Sequence, residues 1–177
     1  MKILIGFDLH DTLVFSTDAW LKAFKTVSPN TFSKIKNDYM IISRKEICKK
    51  YNINYEKLKK IYRKNLKINN KVVKVYKKIY SLFDTCIITN ASLERAIQDM
   101  LFCGIKYKKL YTKEDGLKPN IHYINSIINE QKCDYMIYIG NKEEDILIGN
   151  NVKSYILSKN LSINKIYDKI INNEWCK

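Results

Sequence analysis

The sequence predicts an α/β protein: a Rossmann-like parallel sheet with helices on both faces and a small α-helical cap set into it. Three observations carry this. A lone apolar run opens the chain. From residue 85 onward, short apolar runs alternate with amphipathic stretches of helical spacing. Between the two lies a segment of helical periodicity with almost no strand signal.

Taken in order, residues 3–6 read as a buried strand that delivers the chain to Asp8. An acidic residue where a buried strand emerges is costly unless its charge is used. That marks Asp8 as a nucleophile, a metal ligand or both. Trp20, Phe24 and Val27 then recur at helical spacing, as do Ile47 and Tyr51, and later Tyr55, Leu58, Ile61 and Tyr62. Ser43, with Glu46 three residues on, has the form of a capping box. A further helix is predicted over 70–82, carrying Val72, Val73, Tyr76, Ile79 and Tyr80.

Residues 85–89 form an apolar run ending in small polar residues, followed by a helix over 92–102 and a weaker strand over 108–112. The stretch 120–131 places Ile121, Ile124, Ile127 and Ile128 on one helical face. A strong strand over 135–139 leads to Gly140 and a short acidic helix; a fifth strand (152–157) and a closing helix (163–171) complete the order. The expected division is a core of residues 1–13 and 85–177 with a cap of residues 14–84. Functional groups in parallel sheets gather at the carboxyl ends of the strands, where Asp8, Thr89 and Asn141 all fall.

The chain of 177 residues, 46% apolar, can bury the core of one domain plus an inserted module. No run approaches the roughly 18 apolar residues of a membrane span, and no basic-then-apolar leader opens the chain. The expectation is a cytoplasmic protein without a membrane partner. Five scattered cysteines without a Cys-x-x-Cys pair argue for reduced, packed thiols rather than a disulfide scaffold or zinc cluster. The net charge of +14 is unevenly spread: residues 14–84 hold 18 Lys/Arg against 5 Asp/Glu, a net of +13. Such a field concentrates anionic ligands. The abundance of Lys, Asn and Ile also fits an AT-rich genome, which discounts the charge as a sign of nucleic acid. Six tyrosines interleaved with these lysines (Tyr39, Tyr51, Tyr55, Tyr62, Tyr76, Tyr80) are expected mostly to pack between helices, with stacking on bases as the other reading.

Four short constellations carry chemistry. They are Asp8-x-His10-x-Thr12; Thr89 in Ile87-Ile88-Thr89-Asn90-Ala91-Ser92; Lys118 in Gly116-Leu117-Lys118-Pro119; and Gly140-Asn141-Lys142-Glu143-Glu144-Asp145. In this order they resemble the four motifs of the haloacid dehalogenase-like hydrolases, of the phosphatase type with a helical cap between the first and second. The resemblance covers nearly the whole chain, with two departures. His10 stands where the family has the second Asp of Asp-x-Asp-x-Thr, and Asn141 where it has the first Asp of Gly-Asp-x-x-x-Asp.

The resemblance implies that Asp8 is the nucleophile and His10 the acid/base. It implies that Thr89, Asn90 and Lys118 bind the phosphoryl group. It also implies a Mg²⁺ held by Asp8, the backbone carbonyl of His10, Asn141 and Asp145. These roles suit phosphoryl transfer, in which a carboxylate attacks phosphorus and cations and N–H donors hold the equatorial oxygens. Histidine titrates near neutrality and can serve as acid and base, while Asn141 removes a negative charge and predicts weaker Mg²⁺ binding. His122 is expected at the surface or core edge.

The expectation is therefore a Mg²⁺-dependent phosphomonoester hydrolase acting through an aspartyl-phosphate on a small phosphorylated substrate such as a nucleotide. The alternative is a catalytically impaired relative that binds a phosphorylated ligand or nucleic acid through the basic cap. Carbon–halogen hydrolysis is the third reading, which Lys118, the acidic fourth motif and the cationic cap disfavour.

Overall fold

The computed structural model describes residues 1–147, 149 and 151–176. Five strands form one all-parallel sheet: β1 (Ile3–Phe7), β2 (Asp84–Ile88), β3 (Lys109–Tyr111), β4 (Tyr135–Gly140) and β5 (Val152–Ile156), in the order β3-β2-β1-β4-β5. β1, β2 and β4 are buried on both faces, which is why they read as unbroken apolar runs. The sheet winds one way through β2 and β3 and the other way through β4 and β5. β1 and β4 therefore flank the switch point, where the carboxyl ends leave a crevice. Register sets Phe7 beside both Ile87 and Ile139, so Asp8, Thr89 and Asn141 leave the sheet at nearly one level.

The connecting helices are α5 (Asn70–Leu82), α6 (Leu93–Cys103), α7 (Ile121–Glu130) and α8 (Ile163–Ile171). α7 packs Tyr123, Ile124, Ile127 and Ile128 into a core with Leu4, Ile88, Met136 and Tyr138. Of the helical block expected as a cap over 14–84, only residues 15–67 form a separate compact unit; α5 belongs with the sheet. The reason is topological. A parallel β1–β2 connection needs a crossover helix, and α5 is that helix. Its buried face is Val72, Val73, Val75, Tyr76 and Ile79, and the Tyr76 ring meets Phe7 edge-on at 5.1 Å. The chain leaves the sheet unit at Val14 and returns at Ile68, where the two residues pair antiparallel and the Asn69 N–H donates to the Leu13 carbonyl (2.8 Å).

The second unit comprises α1 (Ser16–Val27), α2 (Phe32–Asp38), α3 (Arg44–Lys50) and α4 (Tyr55–Asn65), with Phe15 N–H donating to the Lys67 carbonyl at its base (2.8 Å). Its centre is aromatic: Trp20 stacks on Tyr62 at 4.1 Å and lies parallel to Tyr55 at 6.4 Å. The expected capping box is present at Ser43 and Glu46. The unit carries 14 Lys/Arg and 4 Asp/Glu, a net of +10, and its lysines are exposed apart from half-buried Lys59. None of the six interleaved tyrosines is exposed, so they pack, as expected. Cys48, Cys86 and Cys133 are buried and Cys103 is half-buried, all unpaired; the fifth, Cys176, lies outside the residues whose side chains are described. Among the described residues no helix is long and apolar enough to cross a membrane.

Candidate active site

Asp8 is the first residue past β1 and is anchored by its N–H to the Ile139 carbonyl (2.9 Å). A tight turn follows, closed by Leu13 and Val14 N–H groups on the Leu9 carbonyl, with Asp11 in the left-handed region (φ 68°). This turn brings Thr12 back to the strand end. Thr12 Oγ1 lies 3.0 Å from Asp8 Oδ2 and 3.1 Å from Asn141 Oδ1, its single proton shared between them. The Asp11 carboxylate faces Lys142 at 3.6 Å, so its charge is already answered.

Lys118 closes the other side. Its ammonium is wholly buried and donates to Asp8 Oδ1 (2.8 Å), Asp145 Oδ1 (2.5 Å) and the Tyr138 hydroxyl (2.6 Å), which uses all three protons. The Asn90 side chain clamps the Lys118 backbone. Its Oδ1 accepts from the Lys118 N–H (2.8 Å) and its Nδ2 donates to the Lys118 carbonyl (3.3 Å). Tyr138 in turn donates to the Ile88 carbonyl (2.8 Å).

The fourth motif folds back on itself. Asp145 Oδ2 accepts from the backbone N–H groups of Asn141 (2.9 Å) and Lys142 (3.1 Å). Gly140 permits this, since a Cβ there would lie 2.3 Å from the Asp145 side chain. Both Asp145 oxygens thus accept hydrogen bonds, as both Asp8 oxygens do from Lys118 and Thr12, and each keeps a further lone pair. The oxygens that do converge are Asp8 Oδ2 and Asn141 Oδ1, at the ends of β1 and β4. Among the described residues, no three His, Cys, Asp or Glu side chains form a metal-binding group. The donors fit an oxygen-ligated Mg²⁺ of low site charge, with the His10 carbonyl nearby in sequence.

Electrostatics follow from burial. Burial raises the Asp8 carboxyl to about 6, with Asp145 adding to the rise and Lys118 opposing it. Burial also works against the Lys118 ammonium, but the Asp8 and Asp145 carboxylates outweigh it and its pKa is raised. Burial lifts the Tyr138 hydroxyl well above its ordinary range, so it stays neutral.

Thr89 follows β2, with its N–H on the Tyr111 carbonyl (2.9 Å) and its hydroxyl accepting from the Ala91 N–H (3.3 Å). His10 is buried, and both ring nitrogens are engaged: Nδ1 lies 3.3 Å from Thr89 Oγ1 and Nε2 lies 3.0 Å from Asp99 Oδ2 on α6. Burial, then the Arg95 charge, lower the imidazole to about 4 against the pull of Asp99. Asp99 and Tyr138 are the site residues that sequence reasoning missed. Asp99 had a signal, an acid between Ala96 and Met100 on the buried face of α6. His122 is exposed, as expected.

A sequence profile of the haloacid dehalogenase-like hydrolases matches residues 5–157. The chain belongs to that family. Similar solved structures share its fold at low identity. YfnB, a HAD hydrolase of Bacillus subtilis bound to magnesium, is 17% identical over 97% of this chain and 99% of its own, with a TM-score of 0.71. A HAD phosphatase from Thermococcus onnurineus is 12% identical over 98% of each chain (TM-score 0.70). An L-2-haloacid dehalogenase, PA0810, is 10% identical over 91% of this chain and 86% of its own (TM-score 0.69). No curated protein sequence matches the chain. Family membership accounts for the order of the four motifs, and the parallel sheet accounts for their meeting at one edge.

Proposed function

We propose that this protein is a Mg²⁺-dependent phosphomonoester hydrolase in which Asp8 attacks phosphorus and forms an aspartyl-phosphate. The observation that supports this most is the Lys118 ammonium held between Asp8 and Asp145, beside the Thr12 hydroxyl and next to the β2 end that carries Thr89. A cation fixed against the nucleophile is what a phosphoryl group with charged equatorial oxygens needs. Above about pH 6 Asp8 is ionised and ready to attack. Asn90 holds the Lys118 backbone in place, and the N-terminus of α6, capped by Ser92, supplies backbone N–H groups for the anion. Asp8, Asn141, Asp145 and the His10 carbonyl would hold Mg²⁺, whose chemistry when bound is to neutralise phosphoryl charge. The substrates we favour are small phosphorylated metabolites, nucleotides among them, drawn by the positive charge of the chain.

The test is hydrolysis of an aryl phosphate with Mg²⁺ by the full chain and by Asp8→Asn. Activity in the first and none in the second is expected; equal rates would remove Asp8 from the chemistry. A second reading is favoured by one observation, the engagement of both His10 nitrogens away from Asp8. It is a phosphorylated-ligand or nucleic-acid binder with little turnover. A large gain in rate from His10→Asp with Asn141→Asp would support that reading.

A further inference from the structure

The Asp99 carboxylate has no part in the chemistry above, yet it is only 1% exposed and lies in the wall of the site. Its Oδ2 is 3.0 Å from His10 Nε2, and the Arg95 guanidinium one turn earlier lies 3.5 Å from the same oxygen. The other ring nitrogen of His10 is 3.3 Å from Thr89 Oγ1. The result is a row of carboxylate, imidazole and hydroxyl running from α6 through the first motif to the second.

We infer that Asp99 is a positioning residue that fixes the His10 tautomer and, through it, the direction in which the Thr89 hydroxyl points. A carboxylate only accepts, so the proton between it and the imidazole resides on Nε2. A neutral imidazole then leaves Nδ1 as an acceptor, and Thr89 Oγ1–H donates to it. The Ala91 N–H already donates to the same oxygen. Thr89 therefore presents the site with a lone pair rather than a proton. A phosphoryl oxygen at this strand end relies on Lys118 and backbone N–H groups, and Thr89 joins them only by leaving His10. Asp99 thus tunes how tightly the site holds an anion without touching it. This second step rests on the phosphoryl reading of the site; the tautomer does not.

The two steps can be measured apart. The chain has only two histidines, and His122 is exposed, so long-range ¹H–¹⁵N spectra of the histidine-labelled full chain resolve the His10 ring and carry their own reference. In metal-free buffer at pH 7, Nε2 is expected in the protonated range and Nδ1 in the unprotonated range. In Asp99→Leu no acceptor faces Nε2, and the proton moves to Nδ1, which donates to Thr89 Oγ1. Thr89 is then freed to donate, and inorganic phosphate, followed by calorimetry, binds about tenfold more tightly, the effect of one hydrogen bond to a charged group. In a Thr89→Val background the same change leaves phosphate affinity where it was.

Nδ1–H in the unaltered protein overturns the inference, as does an Asp99→Leu chain that keeps Nε2–H. A flipped tautomer with unchanged phosphate affinity also overturns it. Phosphate that binds none of the chains, with the tautomers as expected, upholds the role of Asp99 and removes the phosphoryl reading instead.

Discussion

Lys118 is the residue on which the site's charge balance turns. Two buried carboxylates face its ammonium, and neither has another cation at hydrogen-bond distance among the described contacts. Lys118→Met is expected to lower stability at pH 7 by about 3–5 kcal/mol in urea titrations, because two acids are left buried without compensation. The deficit should shrink as pH falls and the carboxyls protonate; a deficit independent of pH would contradict the pairing. Asp8 and His10 make opposite contributions in metal-free buffer. Asp8 is raised from 3.8 to about 6 on folding, so its stabilisation is present below pH 4 and lost as pH rises through 6. His10 is lowered from 6.5 to about 4, so its stabilisation is present above pH 6.5 and lost as pH falls through 4. Each is worth ~3 kcal/mol, and the two nearly cancel. Asp8→Asn should therefore gain stability from pH 4 to 6.5, while His10→Asn should lose it over pH 4 to 6. Chemical denaturation across that range reads both slopes, and parallel curves would refute the assignment.

At the scale of elements, one rung of the sheet shapes the site. Gly6 pairs with Cys86 on one side and Tyr138 on the other, and the Tyr138 ring lies over the glycine. A Cβ on residue 6 would come within 2.8 Å of that ring. Gly6→Ala should cost about 1–3 kcal/mol and push the Tyr138 hydroxyl away from Lys118, seen as a loss of stability together with a fall in activity. Unchanged values for both would mean that the ring has room to move. β1, β2 and β4 were legible because burial on both faces leaves unbroken apolar runs, and Asp8, Lys118 and Asp145 were legible because each motif is local. α5 was read as part of the cap because its exposed lysines continue the pattern of the preceding helices. Its membership of the sheet depends on a crossover that no local signal encodes. The Asn90 clamp and the His10–Asp99 pair join residues 28 and 89 positions apart, so neither could be seen before the chain was folded.

For the molecule as a whole, the net charge of +14 is a long-range property that individual pairs do not express. It should steer anions. kcat/KM for a phosphorylated dianion is expected to fall several-fold between about 50 and 500 mM NaCl while kcat holds, as screening shortens the field. A salt-independent kcat/KM would assign the lysines to solvation alone. The pairing of Val14 with Ile68 bears on how the chain finds its shape. Fifty-three residues separate the two positions, and bringing distant points together carries an entropic penalty that grows with the loop between them. A helical unit with its own aromatic centre can condense early and deliver both ends already adjacent, so that β1 meets β2 as though they were neighbours in the chain. Pulse-labelled hydrogen exchange should then find the amides around Trp20 and Leu58 protected ahead of those of Ile5 and Ile87. The long detour becomes the shortcut.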